Sequence, residues 1–229
     1  MSFIVAIDGP AGSGKGTICR KVAELTNLVN IDTGVTYRAI TLAAIRNGYK
    51  VEEENKICSL LDNINIDFRK VNGKERYFLN EEDITEEIRT KEVNKMVSPV
   101  SGITRVRLNM VELQRNLAKD KNIIMEGRDI GTYVFPNADI KIYLDAEIEE
   151  RARRRHKEML EKNIDVTYEE ILENLKARDY NDMYNKEIGA LKIAEDAIVI
   201  DSTNNTIEEV VEKITNIILG DENYAKFNT

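Results

Sequence analysis

Four short stretches of this chain are apolar almost without a break. They are FIVAI at residues 3–7, NIIME at 122–126, IKIYLDA at 140–146 and AIVID at 197–201. Runs of this kind suit strands buried on both faces, as in a parallel sheet covered by helices. The segments between them have helical spacing instead: Ile18, Val22 and Leu25; Ala39, Leu42 and Ala43; and Ile207, Val210, Val211, Ile214, Ile217 and Ile218. Alternation of the two patterns predicts an α/β fold with crossover connections. At 229 residues and 42% hydrophobic content, the chain is long enough to bury such a core.

Two stretches depart from that rhythm. INIDFRKVNGKERYFL, residues 64–79, alternates apolar and polar residues about Asn72-Gly73, which predicts a hairpin. Residues 63–90 thus read as a small antiparallel insert on the main sheet. Residues 151–186 read as two charged helices broken near Asn163–Thr167, where Thr167 and Glu170 match a capping box. The tail GDENYAKFNT is expected to fray.

Composition narrows the function classes. A net charge of -8 with 32% charged residues implies no broad basic surface for nucleic acid. No leader or spanning segment is read from FIVAI, which is too short, so a cytoplasmic setting is expected. Cys19 and Cys58, far apart, offer neither a zinc spacing nor a disulfide framework, and Cys19 reads as a core residue. His156 is the only histidine and lies in a run of charges, which disfavours Ser-His or Cys-His catalysis.

The strongest chemical signal follows the first apolar run. GPAGSGKGT comprises Gly9, Pro10, Ala11, Gly12, Ser13, Gly14, Lys15, Gly16 and Thr17. It contains G-x-x-x-x-G-K, with Gly16 set between the lysine and the Thr17 hydroxyl. Glycines let successive N–H groups turn inward as an anion nest, and the following helix adds its positive end. Lys15 then reaches terminal phosphates, and Thr17 a phosphate oxygen or a metal ion. The pattern implies a nucleoside triphosphate. Guanine-reading N-K-x-D is absent, since Asn55 and Asn185 begin NKIC and NKEI.

Arginines imply a second phosphate. Arg38 follows IDTGVTY, Arg107 lies in TRVRLN and Arg128 in MEGRDIG at the end of a predicted strand. Arg151, Arg154 and Arg155 share a helix face by i, i+3, i+4 spacing, Arg153 lies off it, and Arg178 precedes Asp182 by one turn. Unit charges of like sign at ~4 Å repel by about 4 kcal/mol at an effective dielectric near 20. Two phosphate esters brought together need several cations, and the planar fork of arginine suits their oxygens. Asp32 and Asp129, beside Arg38 and Arg128, serve to orient the arginines, contact base or sugar, or fix magnesium through water. Asp145 is either a Walker-B-type carboxylate or a cap for a helix beginning near Ala146.

DGPAGSGKGT, IDTGVTYRAITLAA, MEGRDIGTYVFPNADIKIYLDA, RARRR, RDYND and DST together resemble the bacterial cytidylate kinases in order and spacing, from about Ile4 to Ile218. The resemblance implies a P-loop NTPase-type parallel sheet flanked by helices, an antiparallel β insert in the NMP-binding region and a helical lid. It implies a core of residues 1–32, 116–150 and 187–220, an NMP-binding region of 33–115 and a lid of about 151–186. The implied activity is transfer of the ATP γ-phosphoryl group to CMP or dCMP with Mg2+. With no apolar stripe left unassigned and no basic surface or spanning segment, a monomer with no nucleic-acid or membrane partner is expected. Another small-molecule kinase, acting on UMP, AMP or a non-nucleotide acceptor, and a non-catalytic nucleotide-binding protein are the alternatives.

Carried over to this chain, the family pattern puts ATP on Gly9–Thr17 and Arg151. CMP falls to Asp32, Thr33, Tyr37, Arg38, Ser98, Arg107, Arg128, Asp129, Arg178 and Asp182. Of these, Arg38 and Arg128 hold the phosphate, Ser98, Arg107 and Asp129 the cytosine edge, and Arg178 and Asp182 the sugar. Lys15, Arg128, Arg154 and Arg155 act on the transferring group. Three positions depart from the pattern. Asn185 stands where the family has a base-reading arginine, with Lys186 adjacent, Ala190 replaces a proline, and Thr33 stands where serine is common.

Overall fold

The computed structural model describes residues 2–72, 74–161, 163–184 and 188–227. Gly73, expected in the hairpin turn, and Asn185 and Lys186, singled out in the sequence, lie outside the described residues. The chain divides into two compact units, Met1–Asp32 with Arg115–Thr229, and Thr33–Gln114.

The larger unit is built on a parallel sheet. Its strands are β1 (Ile4–Asp8), β2 (Val29–Asp32), β6 (Ile123–Gly127), β7 (Ile140–Asp145) and β8 (Ile198–Asp201), in spatial order β2-β6-β1-β7-β8. Val5 sits opposite Ile124 on one side and Ile140 on the other, so the centre of the sheet is dry. Helices α1 (Lys15–Thr26) and α8 (Ile207–Leu219) pack together and bury Ile18, Val22, Val211, Ile214 and Ile218 with the strand residues. Thr206 and Glu209 exchange bonds at the start of α8, satisfying amides that the first turn leaves open. Helices α6 (Ile148–Glu161) and α7 (Tyr168–Tyr184) pack against each other, with Thr167 and Glu170 forming the expected reciprocal cap.

The tail does not fray as far as residue 227. Helix α9 (Glu222–Phe227) buries Tyr224, whose ring meets Phe3 edge-on at 5.4 Å and whose hydroxyl donates to Thr26 O at 2.7 Å. One amphipathic ring suffices to dock a short polar segment.

The smaller unit has its own core. It holds α2 (Gly34–Arg46), α3 (Glu54–Leu60), α4 (Lys91–Gly102) and most of α5 (Thr104–Leu117). Strands β3 (Ile66–Val71), β4 (Lys74–Leu79) and β5 (Glu82–Asp83) form an antiparallel sheet of their own, rather than an addition to the parallel one. The hairpin buries Ile66, Tyr77 and Leu79 with Ile40, Ile84, Ile88 and Val97, and this burial keeps it with its own helices. Among the described residues, no helix is long and apolar enough to cross a membrane.

Candidate functional site

Every strand of the parallel sheet carries a carboxylate at or beside its C-terminal end: Asp8, Asp32, Glu126, Asp145 and Asp201. The glycine turn leaves β1 at that edge. Gly9 has φ +155°, and a Cβ there would lie 2.1 Å from Leu144 O on the neighbouring strand. No side chain fits. The turn leads into α1 through Gly12 and Gly14, both at positive φ, so the loop backbone curls as an anion nest requires.

Lys15 is buried within this turn. Its ammonium donates to Gly9 O and Pro10 O, each at 2.8 Å, and to Ser13 Oγ at 3.2 Å. Burial lowers its pKa and the nearby Arg128 charge lowers it further, while Glu126 and Asp8 oppose both. The Thr17 side chain is exposed on the first turn of α1.

Two acids that the sequence reading passed over stand beside the loop. Glu126 is buried opposite Asp32 in the β2–β6 register. Burial raises its pKa, as does the Asp32 charge, against the pull of Lys15, Arg128 and Arg20. A Cβ on residue 16 would stand 2.8 Å from Glu126 Oε1. A side chain there would require that carboxylate to turn aside. Asp8, 5% exposed, has its pKa raised to about 6 by burial, although two backbone amides bind its oxygens. The clue to both was already legible, an acid ending each apolar run, but only strand order shows what each acid touches.

Arg128 and Asp129 follow β6. Arg128 Nε donates to Asp182 Oδ2 on α7 at 2.8 Å, in a pair whose side chains are 18% and 4% exposed. Burial pulls the Arg128 pKa down, and Asp182, Glu126 and Asp179 more than reverse that pull. Arg178, half-buried, precedes Asp182 on the same helix. Arg151, on α6, is buried against the loop, donating to Ala11 O at 2.9 Å and pairing with Asp179 at 2.7 Å. Thus Lys15, Arg151 and Arg128 are each held by named acceptors around one strand edge.

Arg154 and Arg155 do not join them. Arg154 bonds Glu150, Ser202 O and Thr203 O, and Arg155 pairs with Glu158 on its own helix, while Arg153 is exposed. Asp145 Oδ1 accepts from Ala146 N at 2.8 Å, a local cap of the turn leading into α6.

In the smaller unit, Arg38 is half-buried on α2 and donates to Ile88 O at 3.0 Å and Asn94 Oδ1 at 2.8 Å. Arg107 is buried on α5 with its guanidinium 5.6 Å from the Tyr37 ring centroid. Thr33 is buried ahead of α2. The Ser98 hydroxyl on α4 is buried without a hydrogen-bond partner among the described residues, a donor and acceptor suited to a polar ligand edge. Among the described residues no cluster of three or more His, Cys, Asp or Glu is placed to hold a metal ion.

Comparison with known proteins agrees with this arrangement. The fold resembles the crystal structure of an uncharacterized protein from Eubacterium ventriosum, at a TM-score of 0.51 and 13% identity, over 96% of this chain and 99% of that one. A cytidylate kinase from Caldicellulosiruptor saccharolyticus is 48% identical over 221 residues, 95% of this chain and 97% of that protein. One from Fusobacterium nucleatum is 49% identical over 214 residues, 93% of this chain and 96% of that protein. The family described as cytidylate kinase matches residues 5–219. A phosphate loop with a buried lysine, arginines fixed by acids beside it and this extent of identity place the chain in the cytidylate kinase family.

Proposed function

We propose that this chain transfers the γ-phosphoryl group of ATP to the phosphate of CMP or dCMP, giving ADP and CDP or dCDP. The observation that carries the reading is the pairing of two fixed cations at one strand edge: Lys15 within the glycine turn and Arg128 held by Asp182. Phosphoryl transfer asks the protein mainly to position polyanions and offset their charge. In this reading Lys15 and the loop amides bind the β- and γ-phosphates. Arg128 and Arg38 bind the acceptor phosphate, Ser98, Arg107 and Asp129 meet the cytosine edge, and Arg178 and Asp182 take the sugar hydroxyls. Asp32, Thr33 and Tyr37 complete the acceptor contacts. Arg151 steadies the loop through Ala11 O, and Arg154 and Arg155 belong to a lid formed by α6 and α7. The Thr17 hydroxyl would hold a magnesium ion together with ATP oxygens and water, and the ion would supply charge neutralisation on the phosphates. No strong base is required, because the acceptor oxygen is already anionic near neutral pH. The monomeric, cytoplasmic setting is part of the same proposal.

An ADP-release assay with an acceptor panel tests it. CMP and dCMP are expected to drive release, with UMP and AMP far behind. A preference for UMP or AMP, or release independent of any acceptor, refutes the reading.

A further inference from the structure

The carboxylate of Asp8 belongs to β1, yet its bonds are made to the exit of β6. Oδ1 accepts from Ile130 N and Oδ2 from Gly131 N, each at 2.8 Å. These are the first two amides of the π-helical turn Ile130–Val134, and the residue before that turn, Asp129, gives it no side-chain cap. Caps are normally supplied by the residue at the start of a helix. Here the cap comes from another strand, 122 residues earlier in the chain.

The placement has a consequence for the neighbouring side chains. The two captured amides directly follow Arg128 and Asp129, so pinning them pins the backbone from which both side chains depart. The same residue leads into Gly9 and the phosphate loop. Keeping an ionised group at this depth opposes stability, since burial raises its pKa despite both amide bonds. A neutral side chain of the same size would avoid that penalty.

We propose that Asp8 is a positioning residue for the acceptor nucleotide: by capping the turn after Asp129 it sets Arg128 and Asp129 in the orientation that CMP requires. It touches neither nucleotide. The proposal rests on the function assigned above, and it adds a residue to which that function gave no part.

Two substitutions test it from opposite sides. Asp8→Asn keeps one acceptor oxygen and turns an NH2 toward the other amide. Gly131→Pro leaves Asp8 intact but removes the N–H that Oδ2 accepts, so one of the two capping bonds cannot form. CMP and ATP binding are measured separately by calorimetry, alongside thermal melting. A core substitution in the same unit, Ile214→Val, serves as a control for stability alone. Both variants are expected to weaken CMP binding by about tenfold or more. ATP affinity is expected to stay within about twofold, and the melting temperature within about 4 °C.

Unchanged CMP affinity in the variants overturns the proposal. So does a parallel loss of CMP and ATP affinity that merely follows the melting temperature. If Asp8→Asn does not fold, Gly131→Pro decides between the same outcomes. Wild-type protein that binds no CMP overturns the functional reading and this proposal with it, whereas a binding wild type with unaffected variants overturns this proposal alone.

Discussion

Replacing Asp182 by asparagine isolates the charge that holds Arg128. The pair is 2.8 Å apart and largely out of water, with the acid side chain 4% exposed. Two unit charges ~4 Å apart attract by about 4 kcal/mol at an effective dielectric near 20, and removing one partner of a buried pair costs about 3–5 kcal/mol because the other is stranded. Asparagine keeps an acceptor oxygen, and Arg128 retains Gly127 O at 3.2 Å, so the loss belongs at the lower end, about 3 kcal/mol. For a chain of this size that is a fall in melting temperature of about 6–12 °C. Circular-dichroism melts and urea midpoints measure it. The double variant with Arg128→Met is expected to lose much less than the sum of the single losses, since it strands no charge. A single variant that melts within about 2 °C of wild type refutes the reasoning. So does a double variant whose losses simply add.

Two further expectations follow from the same strand edge. The Asp8 pKa of about 6 lies above the ordinary 3.8, so the folded chain holds a proton that the unfolded chain releases between those values. The resulting stability is full below pH 3.8 and is lost as pH rises through 6. Wild type is therefore expected to lose up to about 3 kcal/mol relative to Asp8→Asn between pH 4 and pH 7, and identical pH profiles of the urea midpoint refute this. Gly16→Ala places a Cβ 2.8 Å from Glu126 Oε1, which must turn aside, and is expected to cost about 1 kcal/mol. Glu126→Asp withdraws that oxygen and restores part of the loss, whereas additive effects in the double-mutant cycle refute the steric account.

The sequence announced its central strands because a parallel sheet buried on both faces demands unbroken apolar runs, and β1, β6 and β7 have them. Strand β2 gave no such sign: it is four residues long, lies at the sheet edge, and exposes 46% of Val29. Strand β5, two residues long, has no periodicity to detect. The phosphate loop was legible because its chemistry is local, with every donor supplied within nine residues. The partners of Asp8 and Glu126 were not. Asp8 meets amides brought to it by strand order, and Glu126 meets Gly16 and Asp32, so neither contact has a fixed spacing in the chain. The docked Tyr224 was hidden for the same reason, since Phe3 and Thr26 are its partners from the far end of the sequence.

The position of β1 at the middle of the sheet also bears on how the chain is made. Its two partner strands begin at residues 123 and 140, so this segment has no mate in the sheet until β6 has been made more than a hundred residues later. At about 5–20 residues per second, that wait is on the order of ten seconds. During it, a short β-prone run without a charge is open to pairing with other nascent chains. Asp8 and the glycine turn border that run, so a capping acid and a phosphate-binding turn also serve as its gatekeepers against aggregation.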